Sequence, residues 1–111
     1  MLLFFVLLLS GCVSGVAAAA YQGEHELRVA QIDLDAGWLD RARWHLTKAA
    51  QYLLPDDQRL LLLEGYCHEL SGHRSQAQQI YKKLLVQNPN QIAAMNNYAI
   101  LLCREGKRAK A

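Results

Sequence analysis

The hydrophobic pattern divides the chain into two unequal parts. Leu2 to Leu9 are eight consecutive apolar residues. A membrane-spanning helix needs about 20, whereas a secretory h-region takes about 7–15. A buried core helix would interleave polar residues, and these eight have none between them. The remainder shows no strand-like alternation bounded by turns, so the informative signal is repetition over a longer interval.

Gly37, Gly72 and Gly106 fall 35 and 34 residues apart. Five residues after each stands Ala42, Ala77 and Ala111, and seven before each stands Ala30, Gly65 and Ala99. All nine positions are therefore Gly or Ala. The early small residue lets a partner helix approach closely, and the glycine ends a first helix where left-handed backbone costs least. The alanine marks where a second helix crosses the first, and a proline then stops that second helix. First helices are predicted over 24–36, 58–71 and 92–105, and second helices over 39–53 and 74–87. Val29, Leu34, Leu39, Leu46, Leu61, Tyr81, Leu85, Met95 and Leu102 are expected to fill the space between them.

This pattern resembles the tetratricopeptide repeat. Gly65, Gly72, Ala77, Tyr81 and Pro89 carry the likeness in the central unit, and Asn97, Tyr98, Ala99 and Gly106 in the next. The resemblance implies an all-α solenoid of helix-turn-helix hairpins, about two and a half repeats long. The units run over 23–57, 58–91 and an incomplete 92–111. The first departs most: Glu26 and Asp33 occupy positions where the family has large apolar groups, and Pro55 comes one place late, after Leu54. A terminal repeat whose outer face meets water would account for that. Ala111 would be the first crossing position of a third second-helix, so the chain reads as stopping within a unit, or else as a short protein.

Composition narrows the function. Net charge is +2 over twelve basic and ten acidic residues, which gives no strong field toward nucleic acid. Two prolines and seven glycines are too few for a disordered chain. No phosphate-binding glycine loop, nucleophile elbow or catalytic Ser/His/Asp or Cys/His spacing occurs, so no enzyme, cofactor or small-molecule substrate is expected. His25, His45, His68 and His73 are read as surface residues and no metal is expected. The stretch HELSGH, His68 to His73, misses the zincin spacing by one, and Gly72 breaks the helix, so the two rings are not expected to share a face.

Three cysteines are too few for a disulfide framework. Cys67 and Cys103, on the first helices of neighbouring units, are candidates for a disulfide in an oxidising compartment, or are two separate thiols. The first helices of such a solenoid line its inner curve. Repeat position selects Gln31, Arg59, Tyr66, Glu69, Asn96 and Arg104 as a partner-binding groove, or as a solvated face. An aromatic ring among amides and mixed charges suits an extended peptide better than a phosphate chain.

Leu9-Ser10-Gly11-Cys12 resembles a bacterial lipobox. Small residues pass the narrow site of the signal peptidase, and the thiol takes the lipid. The resemblance implies a signal peptide over 1–11, lipidation of Cys12 and a tether over 12–22, rich in small residues from Ser14 to Ala20. Acyl chains such as palmitate, at about 0.8 kcal/mol per CH₂, then anchor the protein to a membrane. Only the amino group of Met1 supplies positive charge ahead of the apolar run, which suggests a start further upstream. In the resemblance to proteobacterial lipoproteins, Val13 in place of an aspartate favours the outer membrane.

The stretch NNYAILLCREGKRAKA resembles the third repeat of the type IV pilus biogenesis and stability lipoproteins, the pilotin family. Asn96, Asn97, Tyr98, Leu102, Cys103 and Gly106 carry that likeness, with the Asn88-Pro89 turn before them. It implies an outer-membrane scaffold, facing the periplasm, whose protein partner is a secretin subunit. The alternative is a tetratricopeptide lipoprotein for another envelope task, such as outer-membrane assembly or division.

Overall fold

In the computed structural model the backbone is described for residues 2–110 and the side chains for 15–107. Five helices follow one another: α1 (Leu2–Asp35), α2 (Leu39–Tyr52), α3 (Gln58–Leu70), α4 (Arg74–Gln87) and α5 (Ile92–Lys110). Among the described residues there is no strand. α1 and α2 form one antiparallel hairpin, α3 and α4 a second, and α5 packs on α4 and α3. Among the described residues the architecture is all-helical, with two helical hairpins and a further helix.

The two hairpin turns are built identically. Gly37 and Gly72 have φ of +80° and +81°, the left-handed region that glycine enters without strain. At the first turn Trp38 N–H donates to the Asp33 carbonyl at 2.8 Å and Gly37 N–H to Leu34 at 3.1 Å. At the second, His73 N–H donates to His68 at 2.8 Å and Gly72 N–H to Glu69 at 3.1 Å. This is the paired hydrogen bonding that closes a helix on a left-handed residue. α3 begins differently: the Asp57 carboxylate accepts from the N–H of Arg59 and Leu60, capping the first turn.

Gly106 does not end its helix; α5 runs through it to Lys110. Lys107, Arg108, Ala109 and Lys110 are good helix formers. Residues 12–22, read as a lipidated terminus and tether, lie within α1; the alanine-rich stretch ahead of Tyr21 favours helix over extended chain. The Cys12 side chain lies outside the described residues. Among those residues, no helix is long and apolar enough to cross a membrane.

The core has two parts. Leu27, Ala30, Leu34, Ala42, Leu46, Ala49, Leu60, Leu63 and Cys67 join α1, α2 and α3. Leu61, Ala77, Tyr81, Leu84, Ala94 and Leu101 join α3, α4 and α5. The small residues let helices meet closely: Ala30, Ala42 and Ala77 are fully buried, and Gly65 is buried against the Tyr81 ring. Of the side chains expected inside, Val29, Leu39 and Leu85 are only half-buried. Met95 and Leu102 are exposed, at 47% and 41%. α5 docks through Ala94, Tyr98 and Leu101, one helical face, which turns Met95 and Leu102 about 100° away from α4.

Glu26 and Asp33 are not on a water-facing surface as expected. Both are buried between α1 and α2, where His45 bridges them. Its Nδ1 lies 2.6 Å from Glu26 Oε2 and its Nε2 3.8 Å from Asp33 Oδ2, while Arg41 reaches Asp33 Oδ1 at 3.4 Å. His45 is therefore a largely buried partner of two carboxylates and not a surface histidine.

Candidate functional site

α1, α3 and α5 lie side by side and leave a groove along one face. Its first compartment, about 380 Å³, lies between α1 and α3 and includes Glu24, Arg28, Gln31, Arg59, Leu62 and Leu63. Its second, about 450 Å³, continues across α3 to α5 through Tyr66, Glu69, Asn97, Ile100 and Arg104. Gln31, Leu62 and Leu63 line both compartments. The floor is apolar and the rims carry amides and charges of both signs. An extended segment can bury alternate side chains on such a floor while its backbone meets the rim groups.

Five of the six groove residues expected from repeat position are brought together here: Gln31, Arg59, Tyr66, Glu69 and Arg104. Asn96 is exposed elsewhere, and its neighbour Asn97 takes the groove position, a shift of one residue that rotates a helical side chain by about 100°. Sequence reasoning also passed over Arg28, Leu62, Leu63 and Ile100. Leucines and isoleucines in a helix read as core until the packing shows which face is left open.

Ion pairs tie the groove walls together with the spacing of the repeat. Arg59 Nη1 lies 2.8 Å from Glu24 Oε1, joining α3 to α1. Arg104 Nη1 lies 3.2 Å from Glu69 Oε1, joining α5 to α3. Each pair is 35 residues apart. The second continues inward, because the Tyr81 hydroxyl donates to Glu69 Oε2 at 2.8 Å. Burial, then that carboxylate, pushes the Tyr81 hydroxyl well above the usual phenol range. Glu69 thus spends both oxygens on holding α3, α4 and α5 in register. The guanidinium of Arg104 stays mostly exposed and faces the groove. Burial acts to raise the Asp57 carboxyl, but hydrogen bonds from the Arg59 side chain and the Leu60 N–H outweigh it and hold Asp57 below the usual carboxylate range.

Cys67 and Cys103 are both free thiols. Cys67 points into the core between α1, α2 and α3, where burial raises its thiol above the usual range. Cys103 is exposed on α5. Their adjacent helices thus carry the two sulfurs to different environments.

The histidines of HELSGH do meet, against expectation. His68 Nδ1 lies 3.3 Å from His73 Nδ1, with ring centroids 5.5 Å apart. The left-handed Gly72 reverses the chain and returns His73 over the last turn of α3.

Among curated proteins, the chain is similar to tetratricopeptide repeat protein 7A of Homo sapiens, 28% identical over 85 residues. The matched stretch is 77% of this chain and spans about 10% of that relative's length. No protein-family model matches, and no solved structure matches significantly. The similarity agrees with the helical hairpins, the two left-handed glycines and the buried small residues, which together define a tetratricopeptide-like repeat.

Proposed function

We propose that this protein is a lipid-anchored scaffold that binds an extended segment of a protein partner in the groove between α1, α3 and α5. The observation that carries the reading is the groove itself. It has a continuous apolar floor at Leu62, Leu63 and Ile100, beneath polar rims drawn from three helices. Repeat solenoids present concave surfaces of this kind to partners. The activity proposed is binding.

The finer assignment rests on sequence. The Leu9-Ser10-Gly11-Cys12 run supports lipidation of Cys12 and attachment to the periplasmic face of a bacterial outer membrane. The Asn96-Asn97-Tyr98 run and its sequel support a place in type IV pilus biogenesis, with a secretin subunit as the partner. A deletion strain tests this: loss of secretin multimers and of twitching motility is expected, with rescue by the intact gene. Normal multimers and motility in that strain would exclude the pilus role.

A further inference from the structure

α2 presents a second surface, outside the groove. Arg41, Trp44, Lys48 and Tyr52 follow at intervals of three and four residues, so they share one helical face. Trp38, the residue preceding α2, joins them through Arg41, whose guanidinium lies 4.7 Å from the centre of the Trp38 ring. Lys48 Nζ stands 4.2 Å from the centre of the Trp44 ring in the same way. Trp38 and Trp44 are 54% and 56% exposed, and Tyr52 is exposed as well. Neither Trp38 nor any residue of α2 lines either compartment of the groove.

Tryptophan is a large ring that folded chains mostly cover, and the cations interleaved here indicate what covers these two. Indole and phenol rings join an apolar body to a polar edge, and such rings settle at the headgroup level of a bilayer. Lysine and arginine beside them are drawn to anionic headgroups, each adding about fivefold in affinity near the surface. α2 carries Arg41, Arg43 and Lys48 against a single acidic residue, Asp40, which Arg43 holds at 2.6 Å. Arg41 also meets Asp33 at 3.4 Å, but Asp33 is buried and the guanidinium stays mostly exposed. The face is therefore cationic and aromatic at once.

We propose that Trp38, Arg41, Trp44, Lys48 and Tyr52 dock the first hairpin onto an anionic phospholipid surface, with the three rings in the headgroup layer. This face adds to the lipid anchor proposed above and stands without it. The layout suits both, because Leu53, next to Tyr52, lies against Gly23 of α1, about 16 Å of helix beyond Cys12. Docking through α2 leaves the groove between α1, α3 and α5 open to its own partner.

Trp38 and Trp44 are the only two tryptophans of the chain, so indole fluorescence reports on this face alone. The full chain carrying Cys12→Ser, which can take no lipid, is titrated with vesicles of phosphatidylcholine and phosphatidylglycerol. A blue shift of the emission is expected, with quenching when the phosphatidylcholine is brominated, and both should be much weaker in vesicles of phosphatidylcholine alone. Lys48→Glu should weaken binding roughly fivefold or more, whereas Lys82→Glu on α4, an equal change of net charge, should bind like its parent. If Lys48→Glu fails to fold, bromine quenching in the parent still decides. Chain that sediments with vesicles while its indoles stay unshifted and unquenched would be held by its apolar start, which overturns the docking face. Equal weakening by Lys82→Glu, or equal quenching in neutral vesicles, also overturns it. An indole shift given by purified secretin subunit and not by vesicles would overturn it in favour of a protein interface.

Discussion

Gly65 and Tyr81 are packed so closely that a single methyl group separates tolerance from clash. A Cβ at Gly65 would stand 2.6 Å from Tyr81 Cε1 and 3.1 Å from Cδ1, while the ring itself is fully buried. Backbone of α3 lies directly on the aromatic face of α4, and this contact sets the distance between the two helices of the second hairpin. Gly65→Ala gains helix propensity of about 1 kcal/mol. It must also displace a ring locked between α3 and α5, at a cost of about 1–3 kcal/mol. Net destabilisation is expected, read as a lower midpoint in urea unfolding. An unchanged or raised midpoint would mean that the ring has room to move.

The same ring carries the hydroxyl that bonds Glu69. Tyr81→Phe leaves Glu69 Oε2 short of a partner in a poorly solvated position and should cost about 1–3 kcal/mol. Arg104→Ala removes an exposed partner of the same carboxylate and should cost under about 1 kcal/mol. A double-mutant cycle between the two should show coupling through Glu69. Simple additivity would mean that the carboxylate does not transmit between α4 and α5.

The buried set Glu26, His45 and Asp33 gives a different signature. His45→Ala leaves two carboxylates buried between α1 and α2 with only Arg41 beside them, and about 3 kcal/mol of stability should be lost. Replacing all three residues by leucine removes the charges together and should recover most of it. Chemical denaturation of the two variants checks both outcomes. Equal loss in the single and triple variants would show that shape, and not charge, matters there.

Much of the fold was readable because its determinants are local. A glycine followed five residues on by a buried alanine specifies a turn and a crossing whatever surrounds them, and Gly37 and Gly72 behave accordingly. Gly106 is also followed five residues on by an alanine in the sequence, yet α5 runs through it, so spacing alone does not end a helix. Glu26 and Asp33 looked like surface positions because their partner, His45, lies on another helix and has no fixed sequence offset from them. His68 and His73 were judged by helical geometry, which stops applying once Gly72 turns the chain. The groove was located by repeat position, and Asn96 was misplaced for Asn97 because one residue is enough to leave a helical face.

Asp57 links helix capping to pH. Its carboxylate accepts from Arg59 N–H at 3.0 Å and Leu60 N–H at 3.3 Å, and these bonds, with the Arg59 guanidinium, depress its folded-state pKa below the unfolded value. The stability it contributes is therefore full above the ordinary aspartate pKa and is lost as pH falls through the lower folded value. Asp57→Ala should cost about 1 kcal/mol near neutrality. Asp57→Asn keeps a capping oxygen and should lose less, while flattening the acid side of the stability profile. Thermal melts across the acidic range follow both, and an acid limb unchanged in Asp57→Asn would place the dependence in other carboxylates.

Partner binding in the groove is the central claim, and one comparison tests it most directly. Ile100 lines the groove and is 48% exposed, so Ile100→Glu adds a charge to the floor without opening the core. Ile32 on α1 is 63% exposed and lines neither compartment, so Ile32→Glu is the matched control. Purified wild-type chain and both variants are titrated with purified secretin subunit and followed by calorimetry. The wild type and Ile32→Glu should bind alike, with Ile100→Glu weaker by about tenfold or more, since an apolar contact replaced by a buried charge costs at least about 1.4 kcal/mol. Binding by Ile100→Glu as tight as wild type would contradict the groove, and no binding by the wild type would contradict the secretin as its occupant.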